Sequence, residues 1–388
     1  MSLRINFITT QSLTNVSGGW SGLSCSLYQH LTKSSLLKIN YFGPIEPPIR
    51  RSAKLVSKLR RILGSRGRFY AFSEERLERV RQQVETARPQ ADYDLFLGVT
   101  PWIGCRFDRP YGAYLDASFR TYFNNNLKVD EFCPTDIRRI ELAEKEWLER
   151  ANHLFWASAW SRDEAIRHYG LTSPNHHVVG IGGNLDIPQA DTWGGQPHFL
   201  FIAQNFALKG GPVACAAFQT VHLKHPETKL IILGQEPPAR FLHRPAVEYA
   251  GYLRKSEPDE LARFRSILAS SFCLVYPTTS DTIGQVIIEC GYFGCPAVAP
   301  RMFAIPEIVL HMETGLLIDT PFHAPEFEKA MLWMIEKPDA YKELRRNVRE
   351  RCTGNFTFAA VTRRISQQVA TVVPETPREN SRTTERVM

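Results

Sequence analysis

The segment at residues 273–300 constrains the fold of this chain more than any other part. It opens with an apolar run at residues 273–276, which predicts a buried strand that Pro277 ends. A polar turn leads to Gly284 and an apolar stretch with helical character, and a second turn precedes the short apolar run 297–299. The order strand, loop, helix and strand is typical of an open α/β sheet.

Two carboxylates accompany this unit, with Asp281 in its loop and Glu289 inside its helix. In open α/β sheets, the loops at the carboxyl ends of the strands bind ligands. The N-terminus of the following helix presents unpaired N–H groups and a partial positive charge, which suits a phosphate. The unit therefore predicts a ligand site, although two surface acids beside a buried helix would give the same isolated pair.

The same residues resemble the signature of the group 1 glycosyltransferases, also known as glycosyltransferase family 4. Asp281 and Glu289 match its two acids with seven residues between them, in the stretch PTTSDTIGQVIIECGYFGCPAV. The usual form starts with Glu and has Phe-Gly where this chain has Ile283 and Gly284. The resemblance implies an α/β fold of GT-B architecture, in which two Rossmann-like domains face a cleft.

This resemblance implies a retaining, metal-independent glycosyltransferase of the hexosyltransferase-like kind. Its donor would be a nucleotide-diphosphate sugar, its acceptor a glycan or lipid-linked molecule of bacterial cell-surface polysaccharide type, and it would need no cofactor. Glu289 would hold the hydroxyls of the nucleotide ribose, and Asp281 those of the donor sugar. Because the leaving diphosphate is anionic, the site needs fixed positive charge and tight placement of the acceptor.

Backbone groups in two loops are expected to contact the diphosphate. Gly18 and Gly19 lie after the first predicted strand, where the family also has a Gly-Gly loop and where glycines let the backbone approach a phosphate. A flexible turn would explain this pair equally well. In the second loop, the resemblance implies contacts from the amides around Thr282, Ile283 and Gly284.

A third loop follows the predicted strand 198–203 and contains Gln204, Asn205 and Lys209. Lys209 matches the family lysine that contacts the donor diphosphate, whereas Gln204 or Asn205 occupies the place of the usual arginine. One charge of the family pattern is therefore missing, because a lysine supplies a point charge and an arginine a bidentate fork.

A polar step ends the short predicted strand within residues 111–119 and resembles a segment of some bacterial members of the family. The resemblance implies that Asp116 lies at the interdomain cleft, where it would contact the donor sugar or orient the acceptor hydroxyl. An Asp that caps the next turn would explain the same sequence. Asp116, Asp281 and Lys209 are thus the expected catalytic residues.

The nucleobase is the remaining part of the expected donor. The family reads the nucleobase through the backbone that comes just after a glycine. In this chain the matching glycine is Gly251, in the strand predicted at 247–253. The resemblance therefore implies nucleobase contacts at Tyr252 and Leu253.

Strands and helices alternate in two halves, which predicts two domains. Residues 1–186 are expected to form an N-terminal Rossmann-like domain on the acceptor side. Residues 187–197, with Pro, Gly and Gln, are interpreted as a linker, and residues 198–365 as the nucleotide-sugar-binding domain. Residues 366–388 are expected to form a return segment and a disordered tail.

The chain is basic, with 388 residues, a net charge of +7 and a pI near 9.0, which suggests an anionic partner. Residues 50–68 contain lysines and arginines and no acid. They could form a basic amphipathic helix at an anionic membrane surface, or a solvated insertion. No zinc-finger or ribonucleoprotein signature is present, so no nucleic-acid partner is expected.

The sequence gives no sign of a metal site or a membrane span. Asp92-Tyr93-Asp94 has the Asp-x-Asp spacing of metal-dependent glycosyltransferases but precedes a predicted strand, and the eight cysteines lack metal-ligand spacing. The apolar runs are too short for a membrane span. We therefore expect a cytoplasmic protein, peripheral on the inner face of the membrane if residues 50–68 bind there.

Two other functions fit the same fold. The missing arginine and the Asp at 281 are compatible with a non-catalytic protein that binds nucleotide sugars or glycans. A nucleotide-sugar epimerase is disfavoured, because its catalytic acid and histidine constellation is not evident.

Overall fold

The computed structural model describes residues 2–13, 22–127 and 129–371 and contains two parallel sheets. The strands of the first sheet are β1 Leu3–Ile8, β2 Leu37–Phe42, β3 Tyr93–Leu97, β4 Tyr111–Leu115, β5 His153–Trp156 and β6 His176–Val178. The helices in this part are α1 Leu23–Leu31, α2 Arg51–Ile62, α3 Glu74–Ala87, α4 Phe119–Asn126, α5 Pro134–Arg150 and α6 Ala159–Tyr169.

The second part of the chain repeats this alternation. Its strands are β7 His198–Ala203, β8 Lys229–Gly234, β9 Val247–Gly251, β10 Cys273–Val275, β11 Ala297–Pro300 and β12 Gly315–Ile318. Its helices are α7 Gly211–Lys224, α8 Ala239–Leu242, α9 Pro258–Ser270, α10 Gln285–Tyr292, α11 Ile305–Ile308, α12 Ala324–Glu336, α13 Pro338–Asn355 and α14 Phe358–Val369.

Each sheet has six parallel strands, in the orders β2-β1-β3-β4-β5-β6 and β9-β8-β7-β10-β11-β12. In both sheets the chain leaves a central strand first towards one edge and then towards the other. Such a change of direction opens a crevice at the carboxyl ends of the central strands. The expectation of two Rossmann-like domains is confirmed.

The unit that opened the sequence analysis is present as β10, α10 and β11. Leu274 pairs with Ala297 and Val275 with Val298, and all four side chains are buried. Gly284 precedes α10 with φ of 75°, and a Cβ there would lie 3.0 Å from the Ile287 side chain. The glycine therefore provides the left-handed turn that starts the helix.

Helix α14 brings the chain back to the first sheet. It packs against α1, and Arg364 Nη1 donates to the carbonyl of Val179 at 2.8 Å. The boundary expected at residue 365 falls inside α14, so the return begins at Phe358, because the apolar face of this helix is buried from its first residue. Residues 372–388, which include most of the expected tail, lie outside the described residues.

Nothing in the described part of the chain resembles a membrane span, since none of its helices is long and apolar enough to cross a bilayer.

Candidate functional site

A cavity of about 400 Å³ lies where the carboxyl ends of β7, β8, β9 and β10 face the end of β4. It brings together most of the residues that the sequence analysis selected. Those that line it are Asp116, Gln204, Lys209, Tyr252, Leu253, Asp281, Thr282, Ile283, Gly284 and Glu289. Residues from separate loops thus meet in one place because parallel strands end at the same edge of a sheet.

Among the selected residues that the structure describes, Asn205 is the one that is not part of this lining. Asn205 points its carboxamide at its own loop, where Oδ1 accepts a hydrogen bond from the Leu208 N–H at 2.9 Å. An asparagine in a loop commonly stabilises a turn in this way, and it does so here instead of lining the cavity. Gly18 and Gly19 lie outside the described residues.

The loop from β7 to α7 holds Lys209 against the end of β10. Gly210 has φ of 80°, and a Cβ at this position would lie 2.0 Å from the carbonyl oxygen of Pro277, so the two loops touch through backbone. Lys209 Nζ lies 2.7 Å from Asp281 Oδ1 and 3.3 Å from Ser280 Oγ. The predicted diphosphate lysine and the predicted sugar carboxylate therefore form an ion pair with each other.

Glu289 is a second paired carboxylate and is buried, with 4% of its surface exposed. Its Oε1 accepts hydrogen bonds from Lys255 Nζ at 2.5 Å and from the Asn184 N–H at 3.0 Å. The ammonium of Lys255 balances the buried charge, as a buried carboxylate requires.

Lys255 and Gln285 line the same cavity but were missed by the sequence analysis. Lys255 is 34 residues from Glu289 in the chain and meets it because β9 ends and α10 begins at this edge. Gln285 Nε2 donates to the carbonyl of Gly182 at 2.6 Å and links α10 to the segment that leaves the first sheet. For Lys255, the one local signal was the pair of cations, Arg254 and Lys255, that follows Tyr252 and Leu253.

Asp116 follows β4 and faces the cavity from the first domain. Burial, with a smaller contribution from the nearby charge of Asp281, raises the pKa of its carboxyl to about 6, and the N–H groups of Asp116 and Ala117 partly oppose the shift. A carboxyl that changes charge near pH 6 can accept a hydrogen bond from a substrate hydroxyl at neutral pH.

The cavity combines two lysines with three carboxylates and the N-terminus of α10, and α7 begins two residues after Lys209. Lysine and helix N-termini attract phosphate, and carboxylates accept hydrogen bonds from hydroxyls. Within residues 2–13, 22–127 and 129–371, no cluster of three or more His, Cys, Asp or Glu side chains could hold a metal ion. The arrangement suits a ligand that carries both phosphates and sugar hydroxyls.

Comparison with known proteins gives an independent view of this site. Residues 186–351 match the family model described as glycosyl transferases group 1. A D-inositol 3-phosphate glycosyltransferase of Pseudarthrobacter chlorophenolicus is 23% identical over an alignment of 323 residues that covers 76% of this chain and 77% of that protein. The matched family region contains Lys209, Asp281 and Glu289.

Two solved structures have the same fold over nearly the whole chain. Sucrose-phosphate synthase from Thermosynechococcus elongatus superposes with a TM-score of 0.69 at 16% identity, covering 96% of this chain and 99% of that one. Anabaena HepE in complex with UDP-glucose superposes with a TM-score of 0.62 at 14% identity, covering 95% of this chain and 100% of that one.

Proposed function

We propose that this chain, which has the GT-B fold and matches the group 1 glycosyltransferase model over residues 186–351, is a retaining hexosyltransferase that uses a nucleotide-diphosphate sugar. The observation that carries the proposal is the meeting of Lys209, Asp281 and Glu289 in one cavity with Asp116 across the cleft. The family match favours an enzyme over the non-catalytic binding protein that the sequence left open.

The proposed donor site divides the ligand among these side chains. Lys209 and the N-termini of α7 and α10 would hold the diphosphate, since all three supply positive potential. Glu289 Oε1 already accepts two hydrogen bonds, so its Oε2, which has no protein partner within the described part of the chain, would accept from the ribose hydroxyls. Tyr252 and Leu253 line the end of the cavity assigned to the nucleobase.

Donor binding would change the pairing of Lys209. When Nζ donates to a phosphate oxygen, Asp281 loses its partner at 2.7 Å and can accept hydrogen bonds from the hydroxyls of the donor sugar. The two residues then act on adjacent parts of one substrate, which agrees with their adjacent positions. A UDP-sugar is the first donor to test, because a fold relative binds UDP-glucose.

Transfer breaks the bond between the anomeric carbon and the diphosphate oxygen and forms a bond from the same carbon to the acceptor oxygen. Negative charge grows on the diphosphate as it leaves, and Lys209 with the two helix N-termini would stabilise it without a metal ion. Asp116 would accept the hydrogen bond of the acceptor hydroxyl, so aim its oxygen at the anomeric carbon, and take up the hydroxyl proton as the new bond forms. No side chain is assigned as a covalent nucleophile.

The exposed surface of helix α2 supports the proposal that the acceptor is lipid-linked and lies in an anionic membrane. The helix exposes Leu55, Leu59 and Ile62 by 56, 48 and 70%, beside lysines and arginines of the basic segment 50–68. Apolar side chains flanked by cations are typical of helices that lie in a bilayer interface. The proposed place of action is therefore the cytoplasmic face of a membrane, in the synthesis of a cell-surface glycan.

The donor site is tested by isothermal titration of the full chain with UDP, GDP and ADP and with their glucose conjugates. We expect the nucleotides of one base to bind. The Lys209→Ala variant should weaken their affinity by roughly 10- to 100-fold, because hydrogen bonds to charged groups contribute about 1.5–3 kcal/mol. Glu289→Ala should also lose binding. Lys224→Ala is the matched control, since Lys224 is half exposed and pairs with Glu328 away from the cavity.

Three results would count against the proposal. If no nucleotide binds, or if both cavity variants bind as the wild type does, the donor site is wrong. With a turnover assay, proton NMR of the product reports the anomeric configuration, and an inverted product would reject the retaining mechanism.

A further inference from the structure

A second cavity, of about 570 Å³, lies in the first domain and shares Asp116 with the donor cavity. Its aromatic lining residues are Phe69, Tyr70, Phe72, Phe119, Tyr122 and Phe132. Among the described residues that line it, Asp116 is the one charged side chain, and none is Lys, Arg or His. Such walls suit an apolar group and offer no counter-charge to a phosphate.

The aromatic walls are held rigidly. Phe69 makes edge contacts with Phe119 and Phe132, at ring-centroid distances of 5.4 and 4.9 Å. The Phe69 N–H also donates to the buried carboxylate of Asp136 at 3.0 Å. Glu144, fully buried, accepts from the Phe119 N–H at 2.8 Å. Because its lining is fixed by packing and hydrogen bonds, the cavity is pre-formed for a ligand.

The cavity is also joined to the exposed helix α2. Arg61 lies over the ring of Phe132, with its guanidinium carbon 5.1 Å from the ring centroid. Ser57 Oγ donates to the carbonyl of Arg68 at 3.1 Å, next to Phe69. Helix α2, which exposes apolar residues, is therefore packed against the wall of the cavity.

We infer that this cavity binds the hydrocarbon chain of a lipid acceptor, with at most one sugar or glycerol unit between the chain and the reacting hydroxyl. The distance between the hydrocarbon chain and the reacting hydroxyl must be short because Asp116 borders both cavities. A hydrocarbon chain in the second cavity therefore places its head group beside the donor sugar. This inference rests on the proposed function, because it takes Asp116 as the point where donor and acceptor meet.

The chemistry of the walls separates this acceptor from a water-soluble one. A free phosphorylated polyol would leave the aromatic walls in contact with water and would find no cation among the described lining residues. A lipid covers those walls, and helix α2, which packs against the cavity, would lie at the bilayer surface. The basic side chains of that segment then face the anionic head groups of the surrounding membrane.

The test compares octyl and methyl β-D-glucopyranoside, which have the same head group, by equilibrium binding below the micelle concentration. We expect the octyl compound to bind at least about tenfold more tightly, since a fully buried methylene contributes up to roughly fourfold. Equal binding of the two compounds by a wild-type protein that binds nucleotide would overturn the inference and leave the donor site standing.

Two variants test whether the hydrocarbon chain of the octyl compound occupies the second cavity. Ala71→Trp fills the second cavity, and Tyr122→Lys places a charge at a half-exposed wall position. Both should reduce the octyl preference to below about threefold while nucleotide affinity stays within about twofold of the wild type. Leu223→Trp, at an 81% exposed position on α7, is the matched control and should keep the preference.

The outcomes distinguish the two proposals. An octyl preference that survives in both cavity variants places the chain elsewhere and rejects this inference. A preference that depends on the cavity in a protein that binds no nucleotide rejects the donor site instead and supports the cavity as a chain site.

Discussion

Glu307 of the second domain accepts a hydrogen bond of 2.6 Å from the backbone N–H of Trp160 in the first. Its other carboxylate oxygen accepts from the Ala159 N–H at 2.9 Å, so Glu307 caps the first turn of α6 across the domain boundary. The Ala304 N–H, in the same segment, donates to the carbonyl of Thr282 at 2.8 Å. One carboxylate therefore connects the first domain to the loop that carries Asp281.

Glu307→Ala should loosen this connection. The variant leaves the two N–H groups of α6 without their partner, which costs about 1–3 kcal/mol of the free energy of unfolding if water does not replace it. We also expect weaker nucleotide binding, since the loop at Thr282 loses its support. Urea unfolding and titration measure both effects, with the exposed Glu313→Ala of the same segment as control. Equal stability of the two variants would show that the domain contact is energetically neutral.

Asp116 should give the acceptor reaction a pH dependence. Because burial raises the pKa of its carboxyl to about 6, the charged form that accepts the hydroxyl hydrogen bond is lost as pH falls through about 6. The value of kcat/KM for the acceptor should therefore decline on the acid side with an apparent pKa near 6. Asp116→Asn should remove that decline and lower the rate at pH 8 by roughly 100-fold, the low end for a group that handles a substrate proton.

A pH profile of kcat/KM that is unchanged in Asp116→Asn would show that Asp116 does not cause the decline. If the decline near pH 6 persists in Asp116→Asn, another carboxyl controls it, and buried Glu144 is the nearest candidate in pKa, at about 7.

Glu144 should make the free energy of unfolding depend on pH. Burial raises the pKa of its carboxyl from 4.5 to about 7, while hydrogen bonds from Phe119 and Thr100 partly oppose the shift. The folded state binds this proton more tightly than the unfolded state does, so stability falls as pH rises from about 4.5 to about 7. The full cost above pH 7 is about 3 kcal/mol, at 1.36 kcal/mol for each unit.

Glu144→Gln keeps a hydrogen-bond acceptor and removes the charge, so its stability should lack this part of the pH dependence. Urea unfolding at pH 5 and pH 8 gives the difference, and Asp116 contributes equally to the wild type and the variant. Glu146→Gln, on the same helix and half exposed, is the control. The same loss of stability between the two pH values in wild type and Glu144→Gln would contradict the assignment.

Helix α2 should bind anionic vesicles through its exposed apolar side chains. Replacement of Leu59 and Ile62 by Ser removes two of them, and we expect at least about tenfold weaker co-sedimentation with phosphatidylglycerol vesicles, because each buried leucine or isoleucine contributes about 1.5–3 kcal/mol. Binding should also weaken with salt. Leu36→Ser, 58% exposed and outside this helix, is the control. Wild-type protein that stays in solution with such vesicles would reject the membrane contact.

The sequence predicts those parts of the site whose signals are local. The unit β10, α10 and β11 follows from apolar runs, from Pro277 and from the left-handed position at Gly284. Lys209 and Asp281 follow strands, and parallel strands end at one edge, so their presence in one cavity needs little more than the order of the elements.

Pairs between distant residues are what the sequence does not predict. Lys255 meets Glu289, and Glu307 meets α6, through packing of whole domains, and neither pair has a characteristic spacing. Asn205 illustrates a different limit, because an asparagine after a strand can bind a ligand or stabilise its own turn, and the same residues fit both uses.

The ion pair between Lys209 and Asp281 has a consequence for how the proposed enzyme treats its product. In the proposed donor site, a sugar-bearing donor would replace both halves of the pair, with phosphate for the lysine and hydroxyls for the carboxylate. The nucleoside diphosphate that remains after transfer would replace only the first half and leave Asp281 beside it without that partner. Restoring the 2.7 Å contact would therefore favour departure of the spent nucleotide, and the ion pair would compete with diphosphates that carry no sugar.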